Sequence, residues 1–237
     1  MPDLRQHPAV VIPAYQPDEK LLILIQTLRE RRPQQLIIVV NDGSDEKLRG
    51  LFAELLNYEV EVLHHPRNLG KGQALKTAFV HYLNLTRGEA LGVITADADG
   101  QHSVEDIIAL SDALAVTAHA LHLGVRDFGL AEIPWRSRVG NILTGYIFRK
   151  ISATPLYDTQ TGLRGIPVNL LKLILNSQSQ GYELEMEMLL IAAQRQIQMN
   201  QIPIKTIYFN RNAQSHFNPL RDSWKIYRVV LRFLFKL

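Results

Sequence analysis

A chain of 237 residues, 46% hydrophobic and 21% charged, has the composition of a globular protein with a sizeable core, which excludes a disordered chain. The formal net charge of +3 is small and the sequence pI is about 9.1, but from Lys205 onward seven Lys or Arg face a single acid, Asp222. That excess directs the C-terminal end toward an anionic partner. Cysteine is absent, so disulfides and thiolate metal sites are excluded, and no apolar run reaches the roughly eighteen residues of a spanning helix. No signal sequence is expected before the first apolar run at Ala9.

In chain order, "AVVIP" (9–13) reads as a short buried strand and 18–32 as an amphipathic helix. "QLIIVV" (35–40) is a second strand, followed by a helix over 44–56 that Ser44 is placed to cap. "YEVEVLHH" (58–65) alternates as a third strand. A helix over 70–85, a strand "ALGVITA" (90–96), a helix over 103–117 and a strand "ALHLGV" (120–125) continue the pattern. Beyond Arg126 the regularity breaks. Residues 133–151 read as a helix, "DTQTGLRGIP" as a turn and short strand, 182–195 as a helix, and "IPIKTIYFN" (202–210) as a strand. The tail "DSWKIYRVVLRFLFKL" closes the chain. Continuous apolar strands alternating with amphipathic helices specify an α/β domain, its mostly parallel sheet covered on both faces.

Ligands of such sheets bind at the carboxyl ends of the strands. Strand one leaves the core as "PAYQPD", strand two as "NDGSD", strand four as "DADGQH" and strand five as "RDF". In an extended segment residues two apart point the same way, so Asp97, Asp99 and Gln101 present three oxygen ligands together. Mg²⁺ and Mn²⁺ take one or two carboxylates plus substrate phosphates. An isolated D-x-D is more often a solvated turn; here it ends a buried strand, which favours a metal. "NDGSDEK" has the composition of an ordinary turn, yet it puts Asp42 where a carboxylate can accept from a base N–H. "NLGKGQA" is either a glycine turn with a surface lysine or a helix N-terminus whose N–H groups and Lys71 meet a phosphate.

Taken together, "VVIPAYQP", "IIVVNDGSD", "NLGKGQALKTAF", "TADADGQH", "GVRDF" and "DTQTGLRG" resemble the family 2 glycosyltransferases of the GT-A fold. The nearest branch is the dolichol-phosphate mannose synthase and polyprenyl-phosphate glycosyltransferase group. The resemblance spans residues 9 to about 190 in order and spacing. It implies a Rossmann-like GT-A domain over 1–217 followed by a basic amphipathic helix over 218–237. It further implies that Pro13, Ala14, Tyr15, Val40, Asp42, Gly43, Lys71, Asp97 and Ala98 bind a nucleotide sugar. Asp97, Asp99 and Gln101 would hold Mg²⁺ or Mn²⁺, and Asp99 and Arg126 would act in catalysis. Arg126, Arg138 and Arg164 would receive an acceptor phosphate. There are two departures from the family pattern. Pro17 stands where the family often carries an acid, and "NAQSHFNPLRDS" does not follow the family's basic acceptor loop.

The reaction so implied is metal-dependent, inverting transfer of a sugar to a polyprenyl phosphate at the cytoplasmic membrane face. A lipid phosphate is already anionic near neutral pH and needs no base. A saccharide hydroxyl acceptor would need one, and Glu183 or Glu185 would supply it unless they form a solvated helix face. In the tail, Lys225, Arg228, Arg232 and Lys236 make one basic stripe on an otherwise apolar helix, which either lies on a membrane or packs on the core. The 133–151 segment, with Trp135 and four basic residues, is a second interfacial candidate. No nucleic-acid partner is expected, because aromatic interleaving and a recognition-helix pattern are both lacking.

Overall fold

The computed structural model describes residues 7–87, 90–126, 145, 148, 155–205 and 218–235. Among the described residues seven strands form one sheet: β1 (Ala9–Ala14), β2 (Ile37–Asn41), β3 (Glu61–His64), β4 (Gly92–Thr95), β5 (Leu121–Val125), β6 (Arg164–Pro167) and β7 (Met199–Pro203). Their order across the sheet is β3-β2-β1-β4-β6-β5-β7. All pairings are parallel except those of β6, which runs antiparallel between β4 and β5. The helices are α1 (Glu19–Arg31), α2 (Arg49–Leu55), α3 (Lys71–Thr86), α4 (Val104–Val116), α5 (Val168–Ile174), α6 (Glu183–Gln194) and α7 (Pro219–Phe235).

Both faces of the sheet are covered, and β1 shows why. Ala9 and Val11 point to one core, Val10 and Ile12 to the other, and all four are fully buried. The first core is closed by Phe79 and Tyr82 of α3, Leu170 and Leu171 of α5, Leu184 and Met188 of α6, and Val229 and Val230 of α7. The second is closed by Leu21, Ile25 and Leu28 of α1, Phe52 of α2, and Ile107 and Leu110 of α4. Helix starts follow local chemistry. Asp18 accepts a hydrogen bond from the Lys20 amide to open α1, and Ser103 accepts from the Asp106 amide to open α4.

Several local expectations are corrected. Ser44 does not cap a helix: its Oγ accepts from the Gln16 amide, a 3₁₀ turn follows at Glu46–Leu48, and α2 begins only at Arg49. The strand expected at 202–210 begins earlier, at Met199, and residues 206–210 lie outside the described ones. Helix α5 was not anticipated, because its seven residues are too few to show a helical period. The 133–151 segment lies outside the described residues apart from Gly145 and Phe148, both helical.

Candidate active site

The carboxyl ends of β1, β2 and β4 open into a crevice of about 700 Å³. Pro13, Ala14 and Tyr15 continue from β1, Asp42 follows β2, and Asp97, Ala98 and Asp99 follow β4. The loop into α3 contributes Asn68 to Lys71, and the segment before α6 contributes Gln180, Gly181 and Tyr182. The fourth wall is α7, through Arg221, Asp222 and Lys225.

Lys71 sits at the centre. Its Nζ lies 2.7 Å from Asp97 Oδ1 and 3.0 Å from Glu185 Oε1, and 5.7 Å from the centre of the Tyr182 ring. Burial alone would favour the neutral amine, but the charges of Asp97 and Glu185 outweigh it, so the lysine pKa is raised and the group stays cationic. Burial likewise opposes ionisation of Asp97. Lys71 and His102, whose Nε2 is 3.3 Å from Asp97 Oδ2, override it and hold Asp97 far below the usual carboxylate range. Asp99 goes the other way: burial, then the Asp97 charge, push its pKa up, and the Gln101 amide donating to Oδ1, with the charges of His102 and Lys71, offset this only in part. Asp97 is therefore compensated more fully than its neighbour.

That imbalance is the observation against which a divalent ion can be tested. Among the described residues no three His, Asp or Glu side chains cluster closely enough to hold a metal on their own. Two adjacent carboxylates with excess negative charge at Asp99 suit an ion that completes its shell with diphosphate oxygens. The donor set fits. Asp97 also needs room beside it, and Gly162 provides it: a Cβ there would fall 2.5 Å from Asp97 Oδ2.

Asp42 is 2% exposed and already engaged. Its Oδ1 accepts from His65 Nδ1 at 2.6 Å and from the Leu69 amide at 2.9 Å, and its Oδ2 from the Gly70 amide at 2.9 Å. It shapes the glycine-rich loop, and only Oδ2 retains acceptor capacity toward the crevice.

Not every expected site residue is brought here. The Val40 side chain is fully buried in the sheet core, away from the crevice lining. Gly43, at φ +71°, serves packing: a Cβ would meet the Arg67 and Asn68 backbone within 2.4 Å. Gln101 and Arg126 do not line the crevice. The Arg126 guanidinium is held by Asp158 at 2.6 and 3.0 Å. Arg164 must be corrected outright. It has 0% exposure, and its guanidinium donates to the carbonyls of Thr159, Thr161 and Glu185, so it braces the core and cannot reach an acceptor. Arg138 lies outside the described residues.

Tyr182 and Arg221 were missed, and Lys225 was read only as part of the basic stripe of the tail; all three lie far from the motifs along the chain. His102 was visible in "DADGQH" but was given no role.

The profile of glycosyl transferase family 2 matches residues 9–172, which contain β1 to β6 and both crevice carboxylates. The chain belongs to glycosyl transferase family 2. It is a glycosyltransferase of the GT-A fold, as its motifs implied. It is 27% identical over 240 residues to a UDP-N-acetylglucosamine–dolichyl-phosphate N-acetylglucosaminyltransferase of Methanococcus voltae, covering 94% of each chain. It is 28% identical to a polyprenol monophosphomannose synthase of Mycolicibacterium smegmatis, covering 84% of this chain and 77% of that one. Among solved structures, a mannosyltransferase of Pyrobaculum calidifontis in complex with GDP-Man and Mn²⁺ superposes with a TM-score of 0.56 at 13% identity. That alignment covers 99% of this chain and 76% of the other. A mycobacterial protein superposes with a TM-score of 0.67 at 16% identity, over 98% of this chain and 74% of that one. These last two likenesses establish the family 2 fold alone.

Proposed function

We propose that this family 2 glycosyltransferase moves a sugar from a nucleotide-diphosphate donor to the phosphate of a polyprenyl lipid, with inversion, on the cytoplasmic face of a membrane. The observation that carries the choice of acceptor is the state of the acids near the crevice. Glu185 is tied to Lys71, and Glu183 Oε1 accepts from the Gln180 and Gly181 amides. Glu185 is thus spent on Lys71, and Glu183, although its Oε2 has no partner among the described residues, is buried and does not line the crevice, so neither stands ready to take a proton from a hydroxyl. A phosphate nucleophile has no proton to give up. The Methanococcus relative, a dolichyl-phosphate N-acetylglucosaminyltransferase, and the Mycolicibacterium relative, a polyprenol monophosphomannose synthase, support the same choice.

In this reading the nucleotide lies along Pro13, Ala14 and Tyr15, with the spare capacity of Asp42 Oδ2 facing it. Lys71 supplies a fixed positive charge beside the diphosphate. Asp97 and Asp99 would hold Mg²⁺ or Mn²⁺, which when bound neutralises the charge of the departing diphosphate. An acceptor phosphate oxygen forms the new bond to the anomeric carbon from the opposite face. The donor C–O bond breaks, and its electron pair leaves with the nucleoside diphosphate. Binding at a membrane is peripheral in this scheme, since among the described residues no helix is long and apolar enough to cross one.

The test is a thermal-shift panel of UDP, GDP, dTDP and CDP with Mn²⁺ or EDTA, followed by transfer from the matching nucleotide sugar to undecaprenyl phosphate. A ligand at a hundredfold its Kd adds about 2.7 kcal/mol, a shift of a few degrees for a chain of this size. The shift should require metal and vanish in Asp97→Ala/Asp99→Ala together with turnover; turnover retained in that variant defeats the metal reading. Glu183→Gln should keep turnover, and its collapse would favour a hydroxyl acceptor.

A further inference from the structure

The crevice contains three cations, and two of them have nothing to neutralise them. Lys71 is shared between Asp97 and Glu185. Arg221 and Lys225 of α7 line the same crevice, and neither has an acidic partner among the described residues. The acid between them in sequence, Asp222, is 8% exposed and is occupied by the Asn218 amide at 2.8 Å. An unpaired Arg and Lys one helical turn apart, facing a crevice, are a receptor for an anion.

The rest of α7 indicates which anion. At about 100° per residue, Arg221, Lys225, Arg228 and Arg232 fall within a strip roughly 60° wide along the helix. The strip runs about 16 Å from the crevice lip toward the helix end. On one side of it Val229 and Val230 are buried against the core. On the other, Trp224, Leu231 and Phe235 are 66%, 45% and 67% exposed. One helix thus carries an anion-binding pair inside the crevice, and a basic strip beside an open apolar strip outside it. A ligand matching all three has an anionic head and a long hydrocarbon tail.

We propose that Arg221 and Lys225 bind the phosphate of the lipid acceptor, with the first isoprene units running out along Trp224, Leu231 and Phe235. The assignment rests on the lipid-phosphate reading above and replaces Arg164, which is sealed in the core. It sets the acceptor phosphate on α7 and leaves the diphosphate to Lys71, Asp97 and Asp99, so donor and acceptor anions are held by separate groups.

The experiment uses the full chain carrying Trp135→Phe, so that Trp224 alone reports. Geranyl phosphate, geraniol and inorganic phosphate are titrated against Trp224 fluorescence. Geranyl phosphate should bind, geraniol should not, and inorganic phosphate should bind at least about tenfold more weakly. Arg221→Gln and Lys225→Gln should each weaken geranyl phosphate by about tenfold, as for loss of one charge-assisted hydrogen bond, and Lys225→Arg should restore it. Metal-dependent nucleotide shifts should stay unchanged in all three variants. Equal binding of geraniol, or unaltered affinity in Arg221→Gln/Lys225→Gln, overturns the assignment. A variant that loses the nucleotide shift but still binds geranyl phosphate overturns it too, by moving the pair to the donor side. If the prenyl phosphate binds as expected and sugar still goes only to a saccharide, the acceptor reading of the enzyme fails while the binding pair stands.

Discussion

Lys71 pairs with Asp97, one of the carboxylates proposed to hold the divalent ion, so lysine and metal would draw on the same negative charge. Removing the lysine leaves Asp97 and Glu185 facing one another across a mostly buried space, their side chains 29% and 12% exposed. Lys71→Met should therefore cost about 2 kcal/mol in urea denaturation with EDTA, below the usual cost of breaking a fully buried pair because Asp97 is part exposed. Mg²⁺ should recover more stability in the variant than in the wild type; an identical response in both would show that lysine and metal do not share Asp97. Gly162 argues the other half of the same contact. Gly162→Ala directs a methyl group at Asp97 Oδ2, which can swing aside, so the fold should survive and the site should not. Metal-dependent nucleotide binding should weaken roughly ten- to a hundredfold, and unchanged binding would mean that the carboxylate position is not critical. The sequence displayed Asp97 and Asp99 because they share one short motif. It could not display what surrounds them, since Glu185 and Tyr182 beside Lys71, and Gly162 beside Asp97, arrive from segments more than sixty residues downstream. Arg164 misled for a related reason. Between two glycines it reads as a loop cation, whereas its pairing opposite Thr95 turns it into the core.

At the scale of elements, β1, β2, β4 and β5 were legible because strands buried on both faces are continuous apolar runs. Strand β6 has only four residues, including a Gly and a Pro, and its antiparallel direction is set by its two neighbours and by nothing in its own composition. Strand β5 carries a titratable group that tests the burial of this region. His122 is 1% exposed; its Nε2–H donates to the Thr117 carbonyl at 3.2 Å, and its Nδ1 has no partner among the described residues. Burial lowers its pKa and that hydrogen bond offsets the effect only in part. The unfolded chain thus takes up a proton below about pH 6.5 that the folded chain resists, so this contribution is full above that pH and is lost as pH falls through the folded pKa. Urea midpoints should drop between pH 7 and pH 5 more steeply for the wild type than for His122→Gln; parallel slopes would place the acid sensitivity elsewhere. Helix α7 was legible as an amphipathic unit, and of its two readings the structure bears on the packing against the core. Val229 and Val230 pack on the core, while Trp224 and Phe235 do not. That its first turns wall the crevice was beyond reach, because helix direction relative to the sheet is a tertiary property.

Over the whole molecule, the sheet divides the work. The carboxyl ends of β1, β2 and β4 gather the residues proposed to bind the donor, and α7 lines the same crevice. The placing of β6 bears on how the chain is made. β1 to β4 can join as they emerge from the ribosome, each beside a strand already present. β5 cannot, since its inner neighbour β6 begins at Arg164, well after β5 has ended at Val125. At about 5–20 residues per second this leaves β4 with one unpaired edge for some seconds of translation. The interval is a window in which a nascent chain of this family is exposed to mispairing, and in which a chaperone would have its greatest effect on yield.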